Sequence, residues 1–325
     1  MDIHAITAPT FADVMTAAVR IAPHAQVTPV LRSRSLDALA GAQLHFKCEQ
    51  LQRAGAFKFR GACNAVWALP ETVAARGVVT HSSGNHGAAL ALAAGTRGIA
   101  CHVVVPEGAV ASKLAAIRAY GASLHSCAPT IAAREARCDA LQRDTDATLV
   151  HPYRDPDVIA GQGTAALELI NACEGRLDAL VVPVGGGGLA SGTALAAAAL
   201  APHCRLYVAE PAGAAETAAS LAQGRRVTDF VPDTICDGLR GTLGQVNFDL
   251  LHAHDVQALV VDDADTVAAM RLLWSRMKQL VEPSSATVLA AILRYPQHFA
   301  GQRVGVLLSG GNVDLDALPT LFSAT

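Results

Sequence analysis

The stretch Asp178-Ala-Leu-Val-Val-Pro-Val-Gly-Gly-Gly-Gly-Leu-Ala-Ser-Gly192 carries the reading of the fold. Its apolar run, 179–184, lacks the polar alternation of a half-solvated strand, as expected of a strand buried on both faces. Gly185, Gly186, Gly187 and Gly188 turn the chain. An Ala-rich segment, 189–201, follows with helix composition and is too short to span a membrane. The unit is strand, turn, helix.

The same alternation extends in both directions. Strands are expected at 44–49, 78–81, 101–105, 123–126, 148–150, 179–184, 205–209, 258–261 and 304–308. Helices are expected at 87–96, 112–120, 131–142, 161–172, 189–201, 212–223, 263–280 and 286–294. Strands alternating with helices imply an α/β fold with parallel sheets covered on both faces. The units between 78 and 150 can close as a small domain, here bounded at 76–150. Segments 1–75 and 151–325 would form a larger one. Ligands in such folds bind beyond the carboxyl ends of strands. The loops 82–87, 185–188 and 309–312 fall there.

Composition narrows the function classes. The chain has 325 residues, 51% hydrophobic and 16% charged, with a formal net charge of -3. That supports large buried layers and argues against disorder. No basic stripe or aromatic platform suggests nucleic acid. Eight cysteines are scattered without a CxxC pair, which fits reduced core residues in a cytoplasmic protein. The first residues, with Asp2, His4 and Asp13, lack the apolar core of a signal peptide, and no membrane span is expected.

Four consecutive glycines let backbone N–H groups converge without side-chain obstruction, at a helix N-terminus of positive potential. Phosphate is the natural guest. A nucleoside triphosphate loop would continue with Lys-Ser/Thr, which is missing here. A dinucleotide loop stays open: Gly185-x-Gly187-x-x-Ala190 fits the loose fingerprint, and Glu210 ends the next strand, where a ribose-binding acid sits. A nicotinamide-dependent dehydrogenase is therefore one reading. It leaves two other segments unexplained.

The first is Ala56-Phe-Lys-Phe-Arg-Gly61. A lysine between phenylalanines is commonly a surface residue whose stem lies over apolar neighbours. If desolvated, its pKa falls and the neutral amine can form a Schiff base with an aldehyde. The second is His81-Ser-Ser-Gly-Asn-His-Gly87, a loop offering hydroxyls, an amide and N–H groups where a helix begins. That set suits the carboxylate of an amino acid. His86 alone is given no catalytic role.

Together these segments resemble the fold-type II pyridoxal-phosphate enzymes, in the serine racemase and serine/threonine dehydratase branch. The resemblance runs from Thr28-Pro-Val30 to Leu315. Its motifs are Gly55-Ala-Phe-Lys-Phe-Arg-Gly61, Ser82-Ser-Gly-Asn-His-Gly87, Ile159-Ala-Gly-Gln-Gly-Thr164, the glycine run, Val281-Glu-Pro-Ser284 and Ser309-Gly-Gly-Asn312. It implies two open, twisted, mostly parallel α/β domains with the active site between them, and a homodimer. Lys58 would hold pyridoxal 5'-phosphate as a Schiff base and serve as general base. Phe57 would pack on the ring, Asn85 would bond its O3′, Ser309 its nitrogen, and Glu282 would lie near it. The glycines would hold the phosphate. Substrate would be met by Ser82, Ser83, Asn85, His86, Arg134 and Tyr153.

The implied reaction is an ammonia-lyase (dehydratase) acting on L-serine, L-threonine or 3-hydroxyaspartate. Racemisation is the nearest alternative, with Ser83 as the second acid. The branch also implies a Mg²⁺, Mn²⁺ or Ca²⁺ site at Glu210, the backbone of Ala214 and Glu216, where aspartate is usual. Tyr153 and Gly241 differ from the asparagine and serine that racemases carry there. Arg134, Arg154 and Arg240 could anchor a substrate β-carboxylate. No C-terminal regulatory domain is expected after Ser309-Gly-Gly-Asn312. A non-catalytic amino-acid sensor on the same fold is a further alternative.

Overall fold

The computed structural model describes residues 7–323; Asp2, His4 and the other positions of 1–6 and 324–325 lie outside the described residues. The strands are β1 (Val30–Leu31), β2 (Gln43–Cys48), β3 (Val78–His81), β4 (Cys101–Pro106), β5 (Ser123–Cys127), β6 (Thr148–Leu149), β7 (Ala179–Pro183), β8 (Arg205–Pro211), β9 (Gln257–Val261) and β10 (Arg303–Leu308). The helices are α1 (Phe11–Ile21), α2 (Arg34–Ala40), α3 (Lys58–Ala68), α4 (Glu71–Ala74), α5 (Asn85–Arg97), α6 (Ala111–Ala119), α7 (Ile131–Thr145), α8 (Pro156–Ala172), α9 (Gly188–Leu200), α10 (Glu216–Gln223), α11 (Gln245–Ala253), α12 (Asp263–Leu272), α13 (Pro283–Arg294) and α14 (Leu318–Ser323).

Two sheets form. One has six strands in the order β1-β2-β10-β7-β8-β9, the other four in the order β5-β4-β3-β6. Only the short β1 runs antiparallel to its neighbour; the other pairings are parallel. Central β7 is buried along its whole length, as its unbroken apolar run requires.

Every strand expected from sequence is present, with ends shifted by a residue or two. The expected helix at 263–280 instead stops at Leu272 and passes through a π turn, Leu273–Met277. Helices α1, α2, α3, α4, α11 and α14 are not among those expected from sequence. In α3 the cause is visible: Gly61 and Asn64 weaken its helical signal, and burial outweighs that propensity.

Local signals set several ends. Asp155 caps α8 by accepting from the N–H groups of Asp157 and Val158, with Pro156 at the first helical position. Gly98 ends α5 at φ 76°. Between the sheets, α3 packs against α8 on one side and α5 on the other. Phe59, Ala62, Cys63 and Val66 of α3 join the apolar cluster of Val78, Leu90 and Val103 from the four-stranded side. The helix that begins with Lys58 thus ties the two sheets together. No helix of the described residues is long and apolar enough to cross a membrane.

Candidate active site

Four loops at the carboxyl ends of β2, β3, β7 and β10 converge, as open parallel sheets dictate. Ala56 bridges Gly310 in antiparallel fashion, and the Phe57 N–H donates to the Ser309 carbonyl at 2.9 Å. The Glu282 N–H donates to the Gly310 carbonyl at 3.1 Å. The lysine segment, Ser309 and Glu282 are therefore one hydrogen-bonded unit.

Lys58 opens α3. Its Nζ donates to the Pro152 carbonyl at 3.1 Å and lies 5.0 Å from the centre of the Phe57 ring. The residue is half-buried, but the amine itself is surrounded by protein, and that desolvation lowers its pKa to about 8 against the opposing pull of Glu282. The desolvation anticipated from its phenylalanine neighbours is present, and Glu282 adds a carboxyl that the local sequence does not reveal.

Glu282 is buried, and burial followed by repulsion from Asp237 raises its carboxyl to about 8. Asn85 Nδ2 donates to Glu282 Oε1 at 2.8 Å, and Asn312 Nδ2 donates to Asn85 Oδ1 at 2.9 Å. A second bond from Asn312 reaches the Ala54 carbonyl at 2.8 Å. The Asn85 amide is oriented from both ends. Asn312 closes the Ser309-Gly-Gly-Asn312 motif, and its contribution depends on a loop more than two hundred residues away in sequence.

The glycine run is crowded as well as open. A Cβ on Gly186 would lie 2.4 Å from the Tyr153 ring, and one on Gly185 would lie 2.9 Å from Leu239 Cα. Gly187 has φ 92°, and a Cβ there would meet Leu243 at 2.6 Å. Packing alone thus requires glycine at three positions, so the run is not explained by a ligand only. The ligand argument keeps its own support: no carbonyl among the described residues takes the N–H groups of Gly185, Gly186 or Gly187. They precede α9, where an anion is favoured.

Ser82, Ser83 and Asn85 lie half-buried at the head of α5. Ser82 Oγ accepts from the Gly84 N–H at 3.3 Å. His86 is buried, with Nε2 at 3.3 Å from the Val150 carbonyl and Nδ1 without a partner. Burial, then the Lys58 charge, lowers its pKa to about 3, so the ring is neutral.

Two further histidines, not singled out from sequence, complete a neutral cluster. Burial followed by Arg134 and Arg154 lowers His81 to about 4. His151 is held well below the ordinary range by burial and then Arg154. Its ring stands edge-on to His81 at 5.1 Å and to Tyr153 at 4.6 Å. Arg154 Nε approaches His151 Nε2 at 2.8 Å, while the N–H groups of Arg154 and Tyr153 approach Nδ1 at 3.2 and 3.4 Å. A neutral imidazole has one lone pair in its plane, so only one side is a true hydrogen bond. The region is rich in donors, and Glu135, 3.6 Å from Arg154 Nη2, is a carboxylate that faces them. Arg134 fits that pattern, its buried Nε having no partner. Arg240 does not join it; it is exposed and bonds the Thr234 carbonyl, through Nε at 3.1 Å and through Nη2.

Glu210 and Glu216 are both buried. Glu210 accepts from the N–H groups of Thr217 and Ala218 at 3.2 and 2.6 Å, and burial raises it to about 7. Glu216 is raised to about 8 by burial and by Glu210, and neither of its oxygens meets a donor at hydrogen-bonding geometry. No group of three or more His, Cys, Asp or Glu able to hold a metal gathers among the described residues. A pair of carboxylates supplemented by the buried Ala214 backbone still suits a hard cation that takes oxygen ligands.

Residues 21–310 match the family described as "Pyridoxal-phosphate dependent enzyme". The chain is 47% identical to a beta-hydroxyaspartate dehydratase of Paracoccus denitrificans, over 96% of this chain and 98% of that protein. It is 45% identical to a serine racemase of Dictyostelium discoideum, over 97% of this chain and 98% of that protein. Maize serine racemase superposes with a TM-score of 0.93 at 42% identity, over 98% of each chain. The neutralisable amine, the anion-ready glycine run and the enclosed Ser309 are the groups an aldehyde-bearing phosphate ester requires, so the residues present fit that cofactor.

Proposed function

The chain belongs to the pyridoxal-phosphate-dependent enzymes, and on that premise we propose that it is an ammonia-lyase removing water from a β-hydroxy amino acid, with 3-hydroxyaspartate the preferred substrate. The observation that carries the reading is the Lys58 amine, its pKa lowered to about 8 by desolvation, set in one bonded unit with Ser309 and Glu282.

Bound pyridoxal phosphate supplies an electron sink for the substrate α-carbon. The chain supplies the rest. The N–H groups of Gly185, Gly186 and Gly187 take the phosphate, with Gly188 opening the helix behind them. Phe57 would pack on the ring face and Asn85 and Ser309 would bond its edge, with Asn85 oriented by Glu282. The loop holding Ser82, Ser83, Asn85 and His86 takes the α-carboxylate. Lys58 Nζ, neutral above about pH 8, removes the α-proton. The β-hydroxyl departs with a proton as water, and later addition of water releases ammonia and a 2-oxo acid.

The preference for a dicarboxylate is supported by Arg134, whose Nε lacks a partner, and by Arg154 beside His81 and His151. Tyr153 closes this side over the glycine run. A second reading, racemisation with Ser83 as the opposing acid, is favoured by the presence of Ser83 in the loop and by the similarity to serine racemases.

We also propose that Glu210, Glu216 and the Ala214 carbonyl hold Mg²⁺, Mn²⁺ or Ca²⁺, which would relieve the mutual repulsion of the two carboxylates. The segment 76–150 would move as a unit over the substrate. A cytoplasmic location is consistent with eight free cysteines, and a homodimer is the form the family resemblance implies.

The test is ammonia release from L-serine, L-threonine and each 3-hydroxyaspartate isomer. A 3-hydroxyaspartate isomer should give the highest kcat/KM, and Arg134→Ala should erase that advantage. No ammonia from any of them would overturn the lyase reading.

A further inference from the structure

We propose that Gln162 is a positioning residue for Lys58, acting through the first turn of α3. This rests on the reading of Lys58 as the cofactor-bearing lysine.

A helix leaves its first N–H groups without partners inside the helix. Ordinarily a capping side chain near the start of the helix supplies one. Phe57 precedes α3 and offers no side-chain cap. The partner comes instead from α8: Gln162 Oε1 accepts from the Gly61 N–H at 3.1 Å, and Gln162 is fully buried.

The approach is exceptionally close. A Cβ on Gly61 would lie 2.5 Å from Gln162 Nε2 and 2.6 Å from the Val158 carbonyl. A Cβ on Gly161 would lie 2.7 Å from the Arg60 carbonyl and 2.7 Å from Gly61 Cα. Two glycines facing each other let α8 touch the backbone of the turn that carries Lys58.

Arg60 locks the same turn. It is fully buried, bonded to both Glu49 oxygens at 2.7 and 2.8 Å and to both Glu168 oxygens at 2.7 and 2.8 Å. It also reaches Thr164 Oγ1 at 3.2 Å, and Lys47 Nζ contributes a bond to Glu168 at 2.5 Å. Two cations and two anions balance, which such burial requires. Gln162, Thr164 and Glu168 therefore splint one helical turn from α8. Lys58 lies at its start, and its amine can be aimed only as accurately as that turn is fixed.

A merely structural bond would lower stability and leave the lysine's chemistry alone. The holoenzyme variants Gln162→Leu, Gln162→Glu and Ile170→Val separate the two roles. Ile170 is buried on α8 within the apolar cluster of the six-stranded sheet, so its trimming weakens the same helix away from α3. Absorbance titration with pyridoxal phosphate reads cofactor affinity, and steady-state kinetics reads kcat and KM.

Gln162→Leu should weaken cofactor binding about tenfold and lower kcat by a similar factor, as expected when one buried N–H loses its partner, with KM within about twofold. Gln162→Glu keeps an acceptor and should restore most of both. Ile170→Val should change neither. Parental affinity and kcat in Gln162→Leu would overturn the proposal, as would equal losses in Ile170→Val. If Lys58→Ala retained the parental absorbance, the reading of Lys58 would fail, and this proposal with it.

Discussion

Asn85 Nδ2 donates to Glu282 Oε1 at 2.8 Å, joining the head of α5, on the four-stranded side, to the residue just before α13 on the six-stranded side. The bond matters because the Glu282 carboxyl is buried and raised to about 8. A carboxyl so raised is held protonated by the folded state over a pH range in which the unfolded chain has released the proton.

The sign of the resulting pH dependence follows. The stability contributed by protonated Glu282 is present below its ordinary value of 4.5 and is lost as pH rises through about 8. Lys58, lowered from 10.5 to about 8, adds stability only as pH climbs between those values, so it does not mask the effect. Between about pH 5 and about pH 8 the melting temperature of the cofactor-free protein should therefore lose ground relative to that of Glu282→Gln, which keeps an acceptor for Asn85 and lacks the titrating carboxyl. Parallel curves for the two proteins would rule out the buried proton.

Lys58→Ala removes the only amine in this bonded unit. Visible absorbance after addition of pyridoxal phosphate should disappear, and ammonia release should drop by about a thousandfold, the usual worth of a positioned general base. Turnover close to the parent's would place the chemistry on another residue.

Gly186→Ala tests the cradle by volume alone. The new methyl would lie 2.4 Å from the Tyr153 ring, so either the ring or the loop must shift. Overpacking of this kind costs about 1–3 kcal/mol, and cofactor affinity should fall roughly ten- to a hundredfold with little change in the far-ultraviolet spectrum. Undiminished affinity by absorbance titration would mean that the phosphate lies elsewhere.

Ser83→Ala separates the two reactions of the branch. Interconversion of D- and L-serine, followed by chiral chromatography, should fall at least about a hundredfold, while elimination stays within about threefold. Racemisation that survives the change would remove Ser83 from that role.

The sequence by itself determined the layer architecture and where along it the loops of the candidate site fall. Apolar runs such as 179–184, short and closed by a glycine turn before a helix, suit a strand buried on both faces, and the segments after them then fall at carboxyl ends. Lys58 was legible because its own neighbours are the bulk beside it, and the Ser82–Asn85 loop because its polar residues are contiguous. Tertiary structure decided what distance in sequence concealed. It brought Glu282 and Asn312 onto Asn85, and His81 and His151 into a neutral cluster under two arginines. It gave Arg240 to a local carbonyl rather than to the site. It set Gln162 against Gly61 because two glycines from separate helices happen to face each other. Hydrogen bonds and desolvation act over a few ångströms, whereas the sequence separates some of these partners by more than two hundred positions, so their energies exist only once the chain has folded.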